Sequence, residues 1–385
     1  MSDSTGSAPH APSPVVPGDT AFFGHPRGLA TLFFTEMWER FSYYGGRGIL
    51  ILFMTAAVTT GGLGMTAATA AAIYGLYTAS VYLFALPGGW VADRLLGQRS
   101  SVFWGGLLIA AGNFGIAAHG SFGMAAFYSG LVLIVLGTGL LKPNVSTIVG
   151  ELYPEGGARR DAGFSIFYMG INIGAFVAPL ICGYLGESID WHLGFAAAGV
   201  GMVLGLIQYR LGWGYLGDAG KFREEARDGK SQAVRQLFMG IALVAVIATI
   251  LYFLGSSGTI NITLEGAAQA TGVIILAIAV LFFASVLGFG GLDSVEKKRV
   301  VVIFFLFLGA SIFWAGFEQA ASSLNLFAER LTDRNVFGWE APASWLQSIN
   351  PLFIITLAPV FGWLWVWLDK RKKEPSLPLK FGLGL

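Results

Sequence analysis

Charged side chains are scarce in this chain: they make up 12% of its 385 residues, whereas 55% of the residues are hydrophobic. Soluble domains carry about a quarter charged residues, so this composition excludes a soluble globular protein and indicates an integral membrane protein. The formal net charge of +1 is also too small to indicate a nucleic-acid partner.

Cysteine and histidine are also rare. The single cysteine, Cys182, excludes a disulfide framework, and the four histidines are too scattered along the chain to suggest a metal site. No Gly-x-x-x-x-Gly-Lys-Ser/Thr segment indicates an ATP-driven pump, and no nucleophile–base set indicates an enzyme. We therefore expect no metal, no cofactor and no enzymatic activity.

Ten apolar stretches are long enough to cross a bilayer. In order, they lie at about 28–58, 67–92, 101–118, 125–150, 162–185, 192–212, 237–262, 266–292, 300–328 and 341–368. Basic residues are concentrated in the N-terminal segment and in alternate connections, whereas the opposite connections hold only Arg330 and Arg334. We expect a multi-pass protein of the inner (plasma) membrane, and the positive-inside rule predicts that its N-terminus is cytoplasmic.

The first apolar stretch differs from the others because it carries four charges: Glu36, Glu39, Arg40 and Arg47. Each charge near the centre of a membrane helix costs roughly 2.5–3.5 kcal/mol on insertion scales. At a turn of about 100° per residue, the four side chains and Tyr43 fall within an arc of about 100°. Such a stripe has to face protein or a water-filled cavity, which indicates a pathway for something charged.

The segment from Gly89 to Arg99 resembles the Gly-x-x-x-Asp-Arg-x-x-Gly-x-Arg loop of the major facilitator superfamily. It follows the second predicted span, where that family has its short cytoplasmic loop. The resemblance implies a loop whose ion pairs form in one conformation and break in another. Its candidate residues are Gly89, Asp93, Arg94, Gly97 and Arg99. The alternative is an ordinary basic loop.

A more specific resemblance lies in the charged first stretch. Residues 36–44, Glu-Met-Trp-Glu-Arg-Phe-Ser-Tyr-Tyr, are similar to the Glu-x-x-Glu-Arg-Phe-x-Tyr-Tyr signature of the proton-coupled oligopeptide transporters. Segments 137–144, 167–175, 313–319 and 347–353 resemble further segments of that family, in the same order. Animal members have a histidine where this chain has Gly75, so the resemblance implies that proton coupling here depends on carboxylates.

The resemblance implies an all-α membrane protein with the major facilitator fold. The expected organisation is a flexible cytoplasmic tail (1–27), an N-terminal six-helix bundle (28–212), a cytoplasmic linker (213–236), an inserted helix pair (237–292) and a C-terminal bundle (297–385). Family members carry four more helices after the eighth. We therefore expect a truncated C-terminal bundle that holds helices 7 and 8 and the start of helix 9.

A short peptide presents a free amine and a free carboxylate, so a site that accepts many peptides has to bind these two ends. Cations suit the carboxylate, and an acid or a neutral acceptor suits the amine; tyrosines add amphipathic walls. The candidate peptide-binding residues are Arg40, Tyr43, Tyr44, Arg47, Tyr77, Lys142, Asn172, Glu318 and Asn350. The resemblance implies broadly the same roles for the matching positions.

Buried carboxyls that exchange between an ion pair and a protonated state can also carry protons. The candidate proton-coupling residues are Glu36, Glu39, Arg40, Lys142 and Glu318. For several candidate residues a purely structural role stays open. Arg40 and Lys142 could only neutralise nearby charges, Arg47 could extend to the membrane interface, and Glu318 could be a buried acid with satisfied hydrogen bonds. Asn172 could form a helix–helix hydrogen bond, and the tyrosines could only pack.

The sequence thus predicts a secondary active transporter, a monomeric proton symporter of di- and tripeptides that works by alternating access. Its partners would be peptides, protons and the lipid bilayer, with no nucleic acid. One alternative is a proton symporter of the same family for another small anionic or zwitterionic solute, such as nitrate. The other is a membrane receptor that does not transport.

Overall fold

The computed structural model describes residues 19–222, 229–261 and 263–384, and in these ranges the chain is helical almost throughout. The α-helices are α1 (Arg27–Thr55), α2 (Ala67–Leu83), α3 (Ala85–Val91), α4 (Gln98–Ala117), α5 (His119–Glu151), α6 (Gly157–Ser188), α7 (Trp191–Gly212), α8 (Lys230–Ser256), α9 (Leu264–Phe289), α10 (Ser294–Phe317), α11 (Ser323–Leu331), α12 (Ile349–Lys370) and α13 (Leu377–Gly384).

Shorter elements connect these helices. They are the 3-10 helices Val58–Thr60, Trp213–Leu216, Glu318–Ala321 and Ala343–Ser348, the π-helix Ala92–Leu96, and the strands β1 (Asn335–Val336) and β2 (Trp339–Glu340). The two strands form an antiparallel hairpin, with Val336 opposite Trp339.

Nine helical stretches of the described chain are long and apolar enough to cross a membrane. Helix α1 is not among the nine although it has 29 residues, because it carries the four charges of the polar stripe. The nine stretches and α1 together correspond to the ten stretches predicted from hydropathy. One boundary differs: the stretch predicted at 300–328 breaks after Phe317 into a 3-10 turn and the separate helix α11.

The described residues pack into two compact units. The first unit holds residues 19–43, 81–175 and 198–243 where they are described, and the second holds 44–80, 176–197 and the described residues from 244 onward. The core of the first unit is apolar and includes the fully buried residues Leu29, Val102, Ile148 and Tyr209.

Small residues let the helices of the first unit approach at backbone distance. A Cβ atom added to Gly105 of α4 would lie 2.6 Å from the Gly137 carbonyl oxygen of α5, and one added to Gly88 of α3 would lie 2.0 Å from the Gly139 carbonyl oxygen. Only glycine fits such contacts, which are typical of helices packed inside a membrane.

The segment before α1 is folded, which differs from the flexible tail expected at 1–27. The Asp19 carboxylate accepts hydrogen bonds from the backbone amides of Ala21 and Arg27 at 3.2 and 3.0 Å. His25 is buried, and its Nδ1 lies 2.8 Å from the Tyr153 hydroxyl. Residues 1–18 of the predicted tail and residues 223–228 of the predicted linker lie outside the described residues.

Candidate functional site

Three charged residues of the α1 stripe form a buried cluster in the first unit. The Arg40 Nε lies 3.1 Å from Glu36 Oε1, one helical turn away, and also donates a hydrogen bond to Glu39 Oε2. Glu36, Glu39 and Arg40 are only 4%, 0% and 4% exposed. The helical spacing that suggested a stripe therefore brings one cation onto two carboxylates.

The two carboxylates of this cluster are only half satisfied. Within the described part of the chain, Glu36 Oε2 and Glu39 Oε1 are buried without a hydrogen-bond partner. A buried polar oxygen without a partner is unfavourable, and such atoms are uncommon in folded proteins. Each oxygen is therefore chemically available to accept a proton or a hydrogen bond from a ligand.

The helix packed against this cluster approaches it very closely. A Cβ atom added to Gly174 of α6 would lie 2.3 Å from the Met37 carbonyl oxygen and 3.0 Å from the Arg40 Cβ. On α1 itself, the Arg40 guanidinium lies 5.1 Å from the centre of the buried Tyr43 ring. The position of Arg40 is thus fixed from several sides.

Lys142 and Asn172, two further candidates from the sequence, also belong to the first unit. The Lys142 Nζ lies 4.4 Å from the centre of the Tyr82 ring, a cation–π contact that the sequence did not suggest. The lysine is also near enough to act electrostatically on the Glu36 carboxylate. Asn172 is buried, and its amide donates to the Tyr168 carbonyl of its own helix at 2.9 Å rather than to a neighbouring helix.

The second unit contains the fourth charge of the stripe. Arg47 forms an ion pair with Glu318 and also donates through Nε to the Tyr74 hydroxyl at 2.5 Å. The side chain of Arg47 is 4% exposed and that of Glu318 is 26% exposed. Arg47 is therefore a buried, paired cation and does not snorkel to an interface.

The remaining candidates of the second unit are Tyr44, Tyr77 and Asn350. The Arg47 guanidinium lies 5.9 Å from the centre of the Tyr44 ring, and Tyr77 is buried. Asn350 is exposed in the first turn of α12. Sequence reasoning missed Tyr74 as a site residue, although its spacing of three from Tyr77 places both on one face of α2.

Two amides that the sequence reasoning did not single out bind the backbone of α1. The Asn325 and Gln347 side chains donate to the Gly48 carbonyl oxygen at 2.8 and 3.1 Å. Gln347 lies in one of the recognised segments, so a sequence signal existed for it; Asn325 lies in the short helix α11, for which there was none.

The segment expected to be a gating loop is helical instead. It runs through α3 and the π-helix Ala92–Leu96 and turns at Gly97, where φ is +77°. Asp93 and Arg94 are exposed, whereas Arg99 is buried and donates to the carbonyl oxygens of Gly217, at 2.6 Å, and Ala219. Arg99 therefore holds the turn that follows α7.

A scan against known families matches residues 99–385 to the model described as the POT family. The chain belongs to the POT family. It is 45% identical over 376 residues to a peptide transporter of Yersinia enterocolitica, which covers 96% of this chain and 73% of that protein. It is 39% identical over 374 residues to a di-/tripeptide transporter of Lactococcus lactis subsp. cremoris, which covers 95% and 74%.

A solved POT structure is similar to the structure of this chain. The crystal structure of a peptide transporter POT in complex with sulfate is 46% identical, has a TM-score of 0.85, and covers 94% of this chain and 73% of that one. The predicted all-α, multi-pass membrane architecture of the major facilitator type is confirmed. In the described residues, no group of three or more His, Cys, Asp or Glu side chains could hold a metal ion.

Proposed function

We propose that this chain is a secondary active transporter that couples the symport of di- and tripeptides to protons by alternating access. The observation that carries the proposal is the buried cluster of Glu36, Glu39 and Arg40, in which each carboxylate keeps one oxygen without a partner in the described chain. The names of the POT relatives support peptides as the cargo.

The proton step follows from the charge balance of this cluster. Two carboxylates share one arginine, so the cluster carries a net charge of −1 unless Lys142 or a proton compensates it. Binding of a proton to Glu36 or Glu39 removes one negative charge and weakens its ion pair with Arg40. Arg40 can then bind another anion, such as the carboxylate of a peptide, in place of the protonated glutamate.

The pair of Arg47 and Glu318 presents the complementary chemistry. A peptide carries both a carboxylate, which suits Arg47, and an ammonium group, which suits Glu318. A bound peptide or a proton on Glu318 can therefore replace the internal ion pair. Because exchange of partners costs less than leaving a buried charge unpaired, the same residue can respond to both ligands.

The proposal extends to the setting of the protein. We place it as a monomer in the inner membrane with its N-terminus in the cytoplasm; the distribution of basic residues supports this orientation. We also propose the division into bundles at 28–212 and 297–385 with an inserted helix pair at 237–292 between them. No specific observation favours either alternative function, the transport of nitrate or another non-peptide solute or the role of a receptor.

Uptake of labelled dialanine into proteoliposomes tests the function. We expect accumulation with an inward proton gradient, loss of accumulation when an ionophore collapses the gradient, and competition by unlabelled dipeptide. Uptake that does not depend on the gradient contradicts symport. Gradient-dependent proton influx triggered by another solute, but not by peptide, contradicts the cargo while leaving the transporter class intact.

A further inference from the structure

Glu187, near the end of α6, binds the beginning of a helix that is distant in sequence. Its carboxylate accepts hydrogen bonds from the backbone amides of Ala343 and Ser344, at 2.7 and 3.0 Å. These are the first two residues of the 3-10 helix Ala343–Ser348, which leads directly into α12. None of the candidate peptide-binding or proton-coupling residues takes part in this contact.

A carboxylate is the best partner for these two amides. The first amides of a helix have no acceptor within the helix, and the partial positive charge of the helix terminus favours an anion. The residue that precedes this helix is Pro342, whose side chain makes no capping hydrogen bond. Glu187 therefore supplies the cap that the local sequence lacks.

The cap is one end of a row of contacts along α6. The Ser348 hydroxyl donates to the Phe176 carbonyl at 2.8 Å, and the Trp345 indole donates to the Leu180 carbonyl at 3.1 Å. The positions 176, 180, 183 and 187 recur at helical spacing, so they lie on one face of α6.

Gly183 completes the row. A Cβ atom added there would lie 2.0 Å from the Ser344 hydroxyl oxygen, so the Ser344 side chain occupies the space that the glycine leaves open. A cleft of about 320 Å³ beside the contact is lined by charged residues that include Glu187, Glu329, Arg334 and Glu340. Water can therefore reach the Glu187 carboxylate at the edge of the cap, while the two capped residues stay buried.

We propose that Glu187 is a positioning residue of the transport cycle, whose cap holds α6 against the start of α12 and has to break when this end of the protein opens. The inference depends on the proposed alternating-access function, because α6 and α12 belong to different predicted bundles. Bundles that rock against each other have to separate at one end in one state. Hydrogen bonds from backbone amides to a carboxylate are suited to repeated separation, since water can replace the carboxylate once the helices part.

The experiment measures how often this contact opens. Ala343 is fully buried, so an Ala343→Cys reporter, which keeps the backbone amide, is protected while the cap is closed. It is made in a Cys182→Ala background, and its reaction with a water-soluble maleimide is timed in detergent. We expect Glu187→Ala to raise the labelling rate about five-fold or more, and Glu187→Gln to raise it less, because an amide oxygen carries no full charge.

Glu329→Gln is the matched control, since Glu329 is an exposed acid at the same cleft whose ion-pair partner is Arg330. It should leave the labelling rate unchanged. Equal rates in the parent, Glu187→Ala and Glu187→Gln proteins, each monodisperse by size-exclusion chromatography, overturn the proposal. Equal acceleration by Glu329→Gln overturns it too, since the effect is then one of cleft charge.

A second measurement does not depend on removing Glu187. Gly183→Cys with Ser344→Cys, again in the Cys182→Ala background, places two thiols at the closest point of the contact. We expect oxidation to a disulfide to stop dialanine uptake and reduction to restore it. Uptake that continues at the same rate with the disulfide formed overturns the proposal. Faster labelling in Glu187 variants of a protein that transports no peptide instead rejects the cargo and keeps the cap.

Discussion

Arg47 and Glu318 are 271 positions apart in the chain, yet they form an ion pair that closes α1 onto the end of α10. The two side chains differ in burial and in their other contacts. Arg47 is buried and also binds Tyr74, whereas Glu318 lies at the break between α10 and a 3-10 turn and keeps 26% of its side chain exposed. Glu318 is therefore the member of the pair that can exchange its partner for water, a proton or a ligand.

Glu318→Gln should abolish uphill peptide uptake, because the amide can neither carry the coupling proton nor form the ion pair. We expect gradient-driven accumulation of dialanine in proteoliposomes to fall to the background of empty liposomes. Counterflow exchange without a gradient should persist. Glu329→Gln, an exposed acid in α11, is the control. Accumulation by Glu318→Gln under an imposed proton gradient would falsify this assignment.

Arg40→Lys should reduce gradient-driven uptake at least about ten-fold although it keeps the charge. A lysine ammonium is a compact point charge and does not reproduce the planar guanidinium that contacts both Glu36 and Glu39. Arg27→Lys is the matched control, because Arg27 is exposed and lies 3.6 Å from Asp19. Normal initial rates for Arg40→Lys would show that the cluster needs only a positive charge.

Gly174→Ala should destabilise the protein by about 1–3 kcal/mol, the usual range for overpacking. The added methyl group would meet the Met37 carbonyl at 2.3 Å and push α6 away from Arg40. The control is Gly75→Ala, since a Cβ atom there meets nothing within 4 Å. Thermal unfolding in detergent checks both variants, and equal melting temperatures would contradict the close approach of α6 and α1.

The buried pair of His25 and Tyr153 predicts a loss of stability in acid. Burial, and secondarily the Arg159 guanidinium, lower the pKa of His25 below its ordinary value of 6.5. Burial also raises the pKa of Tyr153 to about 12, so its hydroxyl stays protonated. The folded protein then binds a proton on His25 less readily than the unfolded chain, so the destabilisation is absent well above pH 6.5 and grows as the pH falls below it.

Melting temperatures at pH 8 and pH 5.5 measure this effect. His25→Gln should show a smaller drop between the two pH values than the parent protein. An unchanged drop in His25→Gln would assign the acid sensitivity to another group. Tyr153→Phe should lower the melting temperature at both pH values, because it removes the 2.8 Å contact.

Local patterns predicted much of this molecule because their geometry is set within one or two turns. The apolar stretches predicted the membrane helices, and the spacing of Glu36, Glu39 and Arg40 predicted that these residues share one face of α1. The pairing of Arg47 with Glu318 was not readable in the same way, since hydropathy indicates which residues are buried but not which distant helix they face.

Other features could not be predicted from local sequence patterns. Residues 92–96 form a π-helix rather than a loop, and the stretch at 300–328 breaks at Glu318 rather than continuing. Hydropathy indicates which stretches are apolar, but it does not set where a helix changes type or ends. The cap on Ala343 is equally hidden, because its donors are backbone amides and Glu187 lies 156 positions away.

Several of the long-range contacts in the second unit share a property with consequences for evolution. Glu187 binds amides of Ala343 and Ser344, Trp345 binds a carbonyl of α6, and Asn325 and Gln347 both bind the Gly48 carbonyl. On one side of each bond the partner is the peptide backbone, which every substitution except proline at a donor position leaves unaltered. Paired substitutions are therefore not required to preserve these bonds. Methods that infer proximity from correlated changes in aligned sequences should detect this interface weakly, and its members should stand out only as singly constrained positions.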